Sequence, residues 1–159
     1  MKGKTVFLTT GAVIAALYVV LTLLSSLFGL ASGAIQLRLA EALTVLPLLT
    51  PAAVPGLFVG CLLANLVTGC APWDVIFGSL ATLLGALGTR YLAKRRWMAP
   101  VFPILSNMLI VPLILQYVYR FPGSYLYFMA TVGIGEAASC GVLGLLLLRA
   151  LDRTKLFKH

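Results

Sequence analysis

Charged side chains are nearly missing from this chain: 10% of its 159 residues are Asp, Glu, Lys or Arg, four acidic and 12 basic. A soluble domain carries about a quarter, because its core must be covered by a solvated shell. With 61% of residues apolar or aromatic and a mean hydropathy of +1.05, there is too little polar surface for a fold in water. Histidine is confined to His159, which excludes a histidine metal site, a metalloprotease motif and a Ser–His–Asp triad. The three cysteines, Cys61, Cys70 and Cys140, lack C-x-x-C spacing and so build neither a disulfide framework nor a thiolate metal centre. Gly3-Lys4-Thr5 resembles the end of a phosphate-binding P-loop, but the first glycine of that pattern would precede Met1. No enzyme, cofactor or second soluble domain is expected.

What the sequence has is long apolar runs. A bilayer-spanning helix takes about 20 mostly apolar residues. Six candidate spans fit, over 5–31, 36–50, 53–70, 73–93, 99–119 and 125–149. The breaks fall at Ala31-Ser32-Gly33, Thr50-Pro51 with Pro55, Ala71-Pro72, Lys94-Arg95-Arg96 and Phe121-Pro122-Gly123. The first run is much longer than the apolar core of a signal peptide, about 7 to 15 residues, and reads as a retained helix. The expectation is an all-α integral membrane protein: six transmembrane helices in a compact bundle, forming one domain over 1–159.

The basic residues orient this bundle. Lys2 and Lys4, then Arg90, Lys94, Arg95 and Arg96, then Arg149, Arg153, Lys155 and Lys158 fall on one side if there are six spans. Basic residues in short loops stay cytoplasmic, so both termini are expected inside. The positive charge is therefore topological, and nucleic acid is not expected as a partner.

Placed by depth, the remaining polar side chains gather in the outer half: Gln36, Arg38, Glu41, Asn65, Asp74, Gln116 and Arg120. Asn107 and Glu136 lie near mid-membrane, and the inner half is almost apolar. That distribution describes a cavity open outward and sealed below. Ionisable groups inside a bilayer cost about 2.5 to 3.5 kcal/mol even on insertion scales, so Glu136 is read as a ligand contact, against a bonded structural carboxylate. Arg38 and Glu41, three apart, share a helix face and permit an internal ion pair or a ligand contact. Trp73 and the cluster Tyr117, Tyr119, Tyr125 and Tyr127 fit an interfacial belt; Trp73, beside Asp74, also suits stacking on a flat ligand. Cys70 reads as incidental, Cys61 and Cys140 as small packing residues.

Small residues recur every fourth position: Gly11 with Ala15 and Ala12 with Ala16 in span one, Gly56, Gly60 and Ala64 in span three, Ala81, Gly85 and Thr89 in span four, Gly133, Ala137 and Gly141 in span six. Such rows allow close helix contact in lipid. One row, that of span one, is a candidate docking face for another membrane protein.

Three stretches then resemble a known family: Ile35-Gln36-Leu37-Arg38-Leu39-Ala40-Glu41-Ala42-Leu43-Thr44-Val45-Leu46-Pro47, Val54-Pro55-Gly56-Leu57-Phe58-Val59-Gly60-Cys61, and Asp74-Val75-Ile76-Phe77-Gly78-Ser79-Leu80-Ala81-Thr82-Leu83. They resemble the QueT family, substrate-binding S components of energy-coupling factor transporters. The resemblance covers essentially the whole chain. It implies uptake of a queuosine precursor, a 7-deazaguanine such as 7-aminomethyl-7-deazaguanine or queuine, across the prokaryotic cell membrane. It also implies partners: a transmembrane coupling protein, contacted by an A-x-x-x-A row that Ala12 and Ala16 match, and two cytoplasmic ATPases.

A guanine-like edge offers adjacent N–H donors to a carboxylate, its carbonyl wants a donor, and an aminomethyl arm is cationic. Glu136 is expected at the edge and Glu41 or Asp74 at the arm. Asn107, Asn65, Gln36 or Arg38 would donate to the carbonyl, and Trp73 would stack on the ring. Competing readings are an S component for another vitamin-like substrate, a stand-alone proton-coupled carrier using Glu136, and a membrane assembly factor without a ligand.

Overall fold

The computed structural model describes residues 2–30 and 35–154. The break at Ala31-Ser32-Gly33 and the basic Lys155 and Lys158 lie outside the described residues. Those described are helical, with no strand among them: α1 (Lys2–Leu27), α2 (Ala53–Val67), α3 (Pro72–Leu92), α4 (Val101–Tyr117), α5 (Tyr125–Glu136) and α6 (Gly144–Thr154). Two less common helices complete the chain. Leu39–Leu48 winds as a 3-10 helix, and Ala137–Leu143 is a π-helical stretch that joins α5 to α6.

Four helices are long and apolar enough to cross a membrane: Gly3–Leu27, Pro72–Leu92, Arg96–Tyr117 and Tyr125–Thr154, of 25, 21, 22 and 30 residues. The other two expected spans are shorter, 10 and 15 residues. Local chemistry explains the first of them. Pro47 has no N–H to give, and the Thr44 hydroxyl bonds back to the Glu41 carbonyl at 2.5 Å, so α-helical bonding is undercut. A 3-10 run of ten residues is far beyond the usual three or four. It survives because it is packed on nearly every side, with Ala40 and Val45 fully buried.

Packing follows chain order: α1 lies against α2, α2 against α3, α3 against α4 and α4 against α5, while the 3-10 segment touches α1, α2, α3, the π stretch and α6. It is the hub. Ile14 and Tyr18 of α1, Leu43 and Leu46 of the 3-10 segment and Leu57 and Cys61 of α2 form one apolar cluster, and Val45, Ala99, Cys140 and Leu148 form a second.

The small-residue rows of α1 divide between two faces. A Cβ on Gly56 would sit 2.6 Å from the Gly11 carbonyl oxygen, and one on Gly60 would sit 2.8 Å from the Tyr18 Cβ and 3.0 Å from the Ala15 backbone. Gly11 and Ala15 are thus the seam with α2. Ala12 and Ala16 are exposed on the other face, among Val13, Leu17 and Val20.

Large apolar side chains are exposed on all the long helices, far more than a soluble monomer tolerates. Exposed aromatics rim both ends, Trp73 and Tyr117 at one, Tyr91 and Trp97 at the other. From Trp73 to Tyr91, α3 rises about 27 Å, close to the thickness of a bilayer core.

Candidate functional site

Each wall of the site comes from a local device. Helix α2 ends on Gly69, whose φ of +72° is the left-handed conformation open to glycine; its N–H bonds to the Leu66 carbonyl and that of Cys70 to the Asn65 carbonyl. Pro72 then starts α3 at a position that needs no N–H, and Asp74 falls in its first turn, where a carboxylate suits the helix dipole. Past α4, Arg120 adopts a φ of +51° and turns the chain back, bringing Tyr119 and Phe121 against the start of α3. On α5, Gly135 lies so close to the Gln36 carbonyl oxygen that no Cβ fits there, which brings the 35–38 segment onto Glu136.

These walls enclose a cavity of about 250 Å³. Its polar lining is Gln36, Arg38, Cys70, Asp74, Thr82, Asn107, Tyr119 and Glu136, and its apolar lining includes Val111, Ile114, Leu115, Phe121 and Val132. Five of the eight residues expected from sequence meet here: Gln36, Arg38, Asp74, Asn107 and Glu136. Glu136 is 8% exposed, and its Oε2 has no partner. Asn107, 4% exposed, lines the same cavity.

The other three expected residues sit elsewhere. Glu41 is buried one layer behind the cavity, where its Oε1 accepts a 2.5 Å hydrogen bond from the Tyr18 hydroxyl. Asn65 is also behind the wall, its Nδ2 donating to the Asp74 carbonyl oxygen at 3.4 Å. Trp73 is 58% exposed and stacks on Phe77 at 6.0 Å in an apolar groove with Ile110, Leu113 and Tyr117, away from the cavity. Consecutive residues of an α-helix point about 100° apart, so Trp73 and Asp74, adjacent in sequence, stand on different faces of α3.

Nor do Arg38 and Glu41 form a direct ion pair. Among the described residues the ion pair is Arg96 with Asp152. Arg38 has an extended backbone just before the 3-10 helix, so a spacing of three does not stack the two side chains.

Sequence reasoning missed Tyr18, Tyr119 and Phe121. The Tyr119 hydroxyl donates to Asp74 Oδ2 at 2.9 Å and accepts from the Ala71 N–H at 3.2 Å, while its ring stacks on Phe121 at 5.9 Å. Partial burial, with Asp74 nearby, pushes its phenol up to about 12. A belt assignment hid Tyr119. For Tyr18 the signal was available: a phenol deep in an apolar helix needs a partner for its hydroxyl.

The cavity lies at the end of the bundle opposite Arg90, Lys94, Arg95 and Arg96, since Asp74 and Arg90 stand at the two ends of α3. Below it the second apolar cluster closes the path, with Thr44 and Cys140 in contact at 2.9 Å. Three carboxylates within or directly behind one wall, against one guanidinium, favour a small ligand rich in N–H donors or carrying positive charge.

The sequence model of the QueT transporter family matches residues 8–153. A queuosine precursor transporter, QueT, of Lactococcus lactis subsp. cremoris is 36% identical over 84 residues, which are 52% of this chain and 48% of the relative. The match thus spans about half the length of that curated protein. No solved structure matches the chain.

Proposed function

The chain belongs to the QueT transporter family, and we propose that it is the substrate-capturing S component of an energy-coupling factor importer for a queuosine precursor. The family is one of transporters, not enzymes. The ligand is a 7-deazaguanine such as 7-aminomethyl-7-deazaguanine or queuine, taken from outside and released inward.

One observation supports this reading above the others: in a nearly uncharged bundle, Glu136 presents an unpartnered carboxylate oxygen beside a cavity that also gathers Gln36, Arg38, Asp74 and Asn107. A volume of about 250 Å³ is below the range of about 300 to 1,000 Å³ typical of drug-sized ligands and suits a small bicyclic base. In this reading Glu136 accepts the adjacent N–H groups of the guanine-like edge, Asp74 takes the cationic arm, and Gln36 and Arg38 donate to the carbonyl. Tyr119 and Phe121, stacked at the mouth, supply the flat surface that Trp73 was expected to provide. Polar side chains thin out below Glu136, where Val45, Ala99, Cys140 and Leu148 pack, so a proton-coupled carrier finds no polar path at that depth.

The single domain sits in the prokaryotic cell membrane with both termini cytoplasmic. Three non-helical residues at up to about 3.3 Å and ten 3-10 residues at about 2.0 Å give the 36–48 segment at most about 30 Å of reach, the thickness of a bilayer core. If the 3-10 segment and α2 crossed only together or not at all, the basic segments would still share one side, so orientation does not depend on that pair.

The chain docks through the exposed Ala12 and Ala16 on a transmembrane coupling protein, and two cytoplasmic ATPases supply the energy. Equilibrium binding of 7-aminomethyl-7-deazaguanine to the purified protein, with mass spectrometry of the co-purified ligand, tests the substrate; equal binding of thiamin or riboflavin would overturn it. Replacing Ala12 and Ala16 with Leu tests docking: ligand binding should survive while uptake and co-purification with the coupling protein fail.

A further inference from the structure

The first turn of α3 is capped from another part of the chain. Ala71, its N-cap, makes no side-chain capping bond, and Asp74 is the third helical residue, the position from which a Glu or Gln ordinarily reaches back to the N-cap N–H. An aspartate is one methylene shorter. Tyr119, from the segment after α4, fills the gap: its hydroxyl accepts from the Ala71 N–H at 3.2 Å and donates to Asp74 Oδ2 at 2.9 Å. The backbone holds it there, with the Tyr119 N–H on the Ile114 carbonyl and, past the left-handed Arg120, the Phe121 N–H on the Leu115 carbonyl, each at 3.1 Å.

A phenol has one O–H to give. That of Tyr119 is committed to Asp74, so a ligand in the cavity meets its ring and not a donor. Asp74 is committed on one side only. Its Oδ1 accepts no hydrogen bond among the described residues and lies over Gly78, where a Cβ would sit 3.1 Å away. Asp74, Gly78 and Tyr119 all line the cavity, as does Glu136 with its unpartnered Oε2. We propose that Tyr119 is a positioning residue: by closing the cap through Oδ2 it leaves Oδ1 of Asp74 as the acceptor for a cationic arm on the ligand. One free oxygen suits the point charge of an ammonium better than a planar fork that needs two. This deepens the deazaguanine reading and rests on it for the identity of the ligand.

The paired probes are 7-aminomethyl-7-deazaguanine and 7-methyl-7-deazaguanine, which keeps the ring and the first carbon of the arm and lacks the amine. In equilibrium binding to the full-length protein, Asp74→Asn should weaken the aminomethyl compound about tenfold and Tyr119→Phe about two- to fivefold, while the methyl compound changes by less than about twofold in either. Tyr119→Phe added to Asp74→Asn should cost nothing further, because it acts through that carboxylate. Equal losses for both compounds would reduce the bond to a structural cap and overturn the proposal, as would losses that add in the double variant or an unchanged affinity in Tyr119→Phe.

A second readout needs no ligand. In protein labelled with ¹³C at tyrosine Cζ, the Tyr119 resonance, identified as the one missing in Tyr119→Phe, should move in Asp74→Ala and stay in place in Asp152→Asn at the opposite end. An unmoved signal in Asp74→Ala would refute the proposal. A moved signal, with neither compound bound by the wild type, would bring down the deazaguanine reading and leave the cap standing.

Discussion

At the basic end of the bundle polar side chains are taken up by the fold, whereas at the opposite end they are left open. Thr89 donates to the Ala99 carbonyl at 2.8 Å, Arg90 donates to the Pro47 carbonyl at 3.3 Å, and Arg96 pairs with Asp152. In the cavity lining, Arg38 Nε and Glu136 Oε2 are buried without a hydrogen-bond partner. Unmade hydrogen bonds in a buried site cost about 1 to 3 kcal/mol each, so a fold does not place two of them in one cavity for stability. At the closed end polar groups hold helices together; at the open end two line a cavity unbonded.

Variants can break or sharpen that contrast. The largest effect is expected from Glu136→Gln, which should weaken ligand binding by about 1 to 3 kcal/mol with little change in thermal stability, measured by calorimetry beside a melting curve. An unchanged affinity would return Glu136 to a structural role. Thr89→Val should do the reverse, lowering stability by about 1 kcal/mol and leaving affinity alone. Tyr119→Phe removes a bond at the partly exposed mouth and should weaken binding by about 0.5 to 1 kcal/mol. Its difference titration at the phenolate band should report a midpoint near 12 in the folded protein. Because that folded value lies above the ordinary value of 10, the contribution of Tyr119 to stability is intact below pH 10 and is lost as pH rises toward 12. The smallest effect is expected from Asp152→Asn, whose partly exposed ion pair with Arg96 is worth under about 1 kcal/mol and should not alter ligand affinity.

The membrane character, the all-helical class and the place of Glu136 in a cavity lining were legible in the sequence because each follows from a cost. Apolar runs cannot be solvated, and an acid such as Glu136 is kept in lipid only at a penalty. The 3-10 segment was not legible, since Ala-Glu-Ala-Leu reads as α-helix until Pro47 and the packing on every side are considered. The extended backbone of Arg38, just before that winding begins, moved Arg38 and Glu41 off a common face. Trp73 was misplaced because chain adjacency to Asp74 was taken for spatial adjacency. Tyr119 and Phe121 depend on the left-handed turn at Arg120, a conformation no composition argument selects. For α1, spacing found both small-residue rows, and the packing against Gly56 and Gly60 separated them.

The π-helical stretch at 137–143 makes chain length itself a determinant of the site. Bonding from i to i+5 accommodates an added residue in what would otherwise be a continuous α-helix from Tyr125 to Thr154. Winding the same seven residues as α-helix, with none removed, would rotate α6 by about 100° relative to Glu136. Glu136 could then face the cavity, or Leu148 the inner core, but not both. The register between the cavity at one end and the apolar cluster at the other is therefore held by the π winding, and an inserted residue, which that winding does not also absorb, should be more damaging there than any conservative substitution within the stretch.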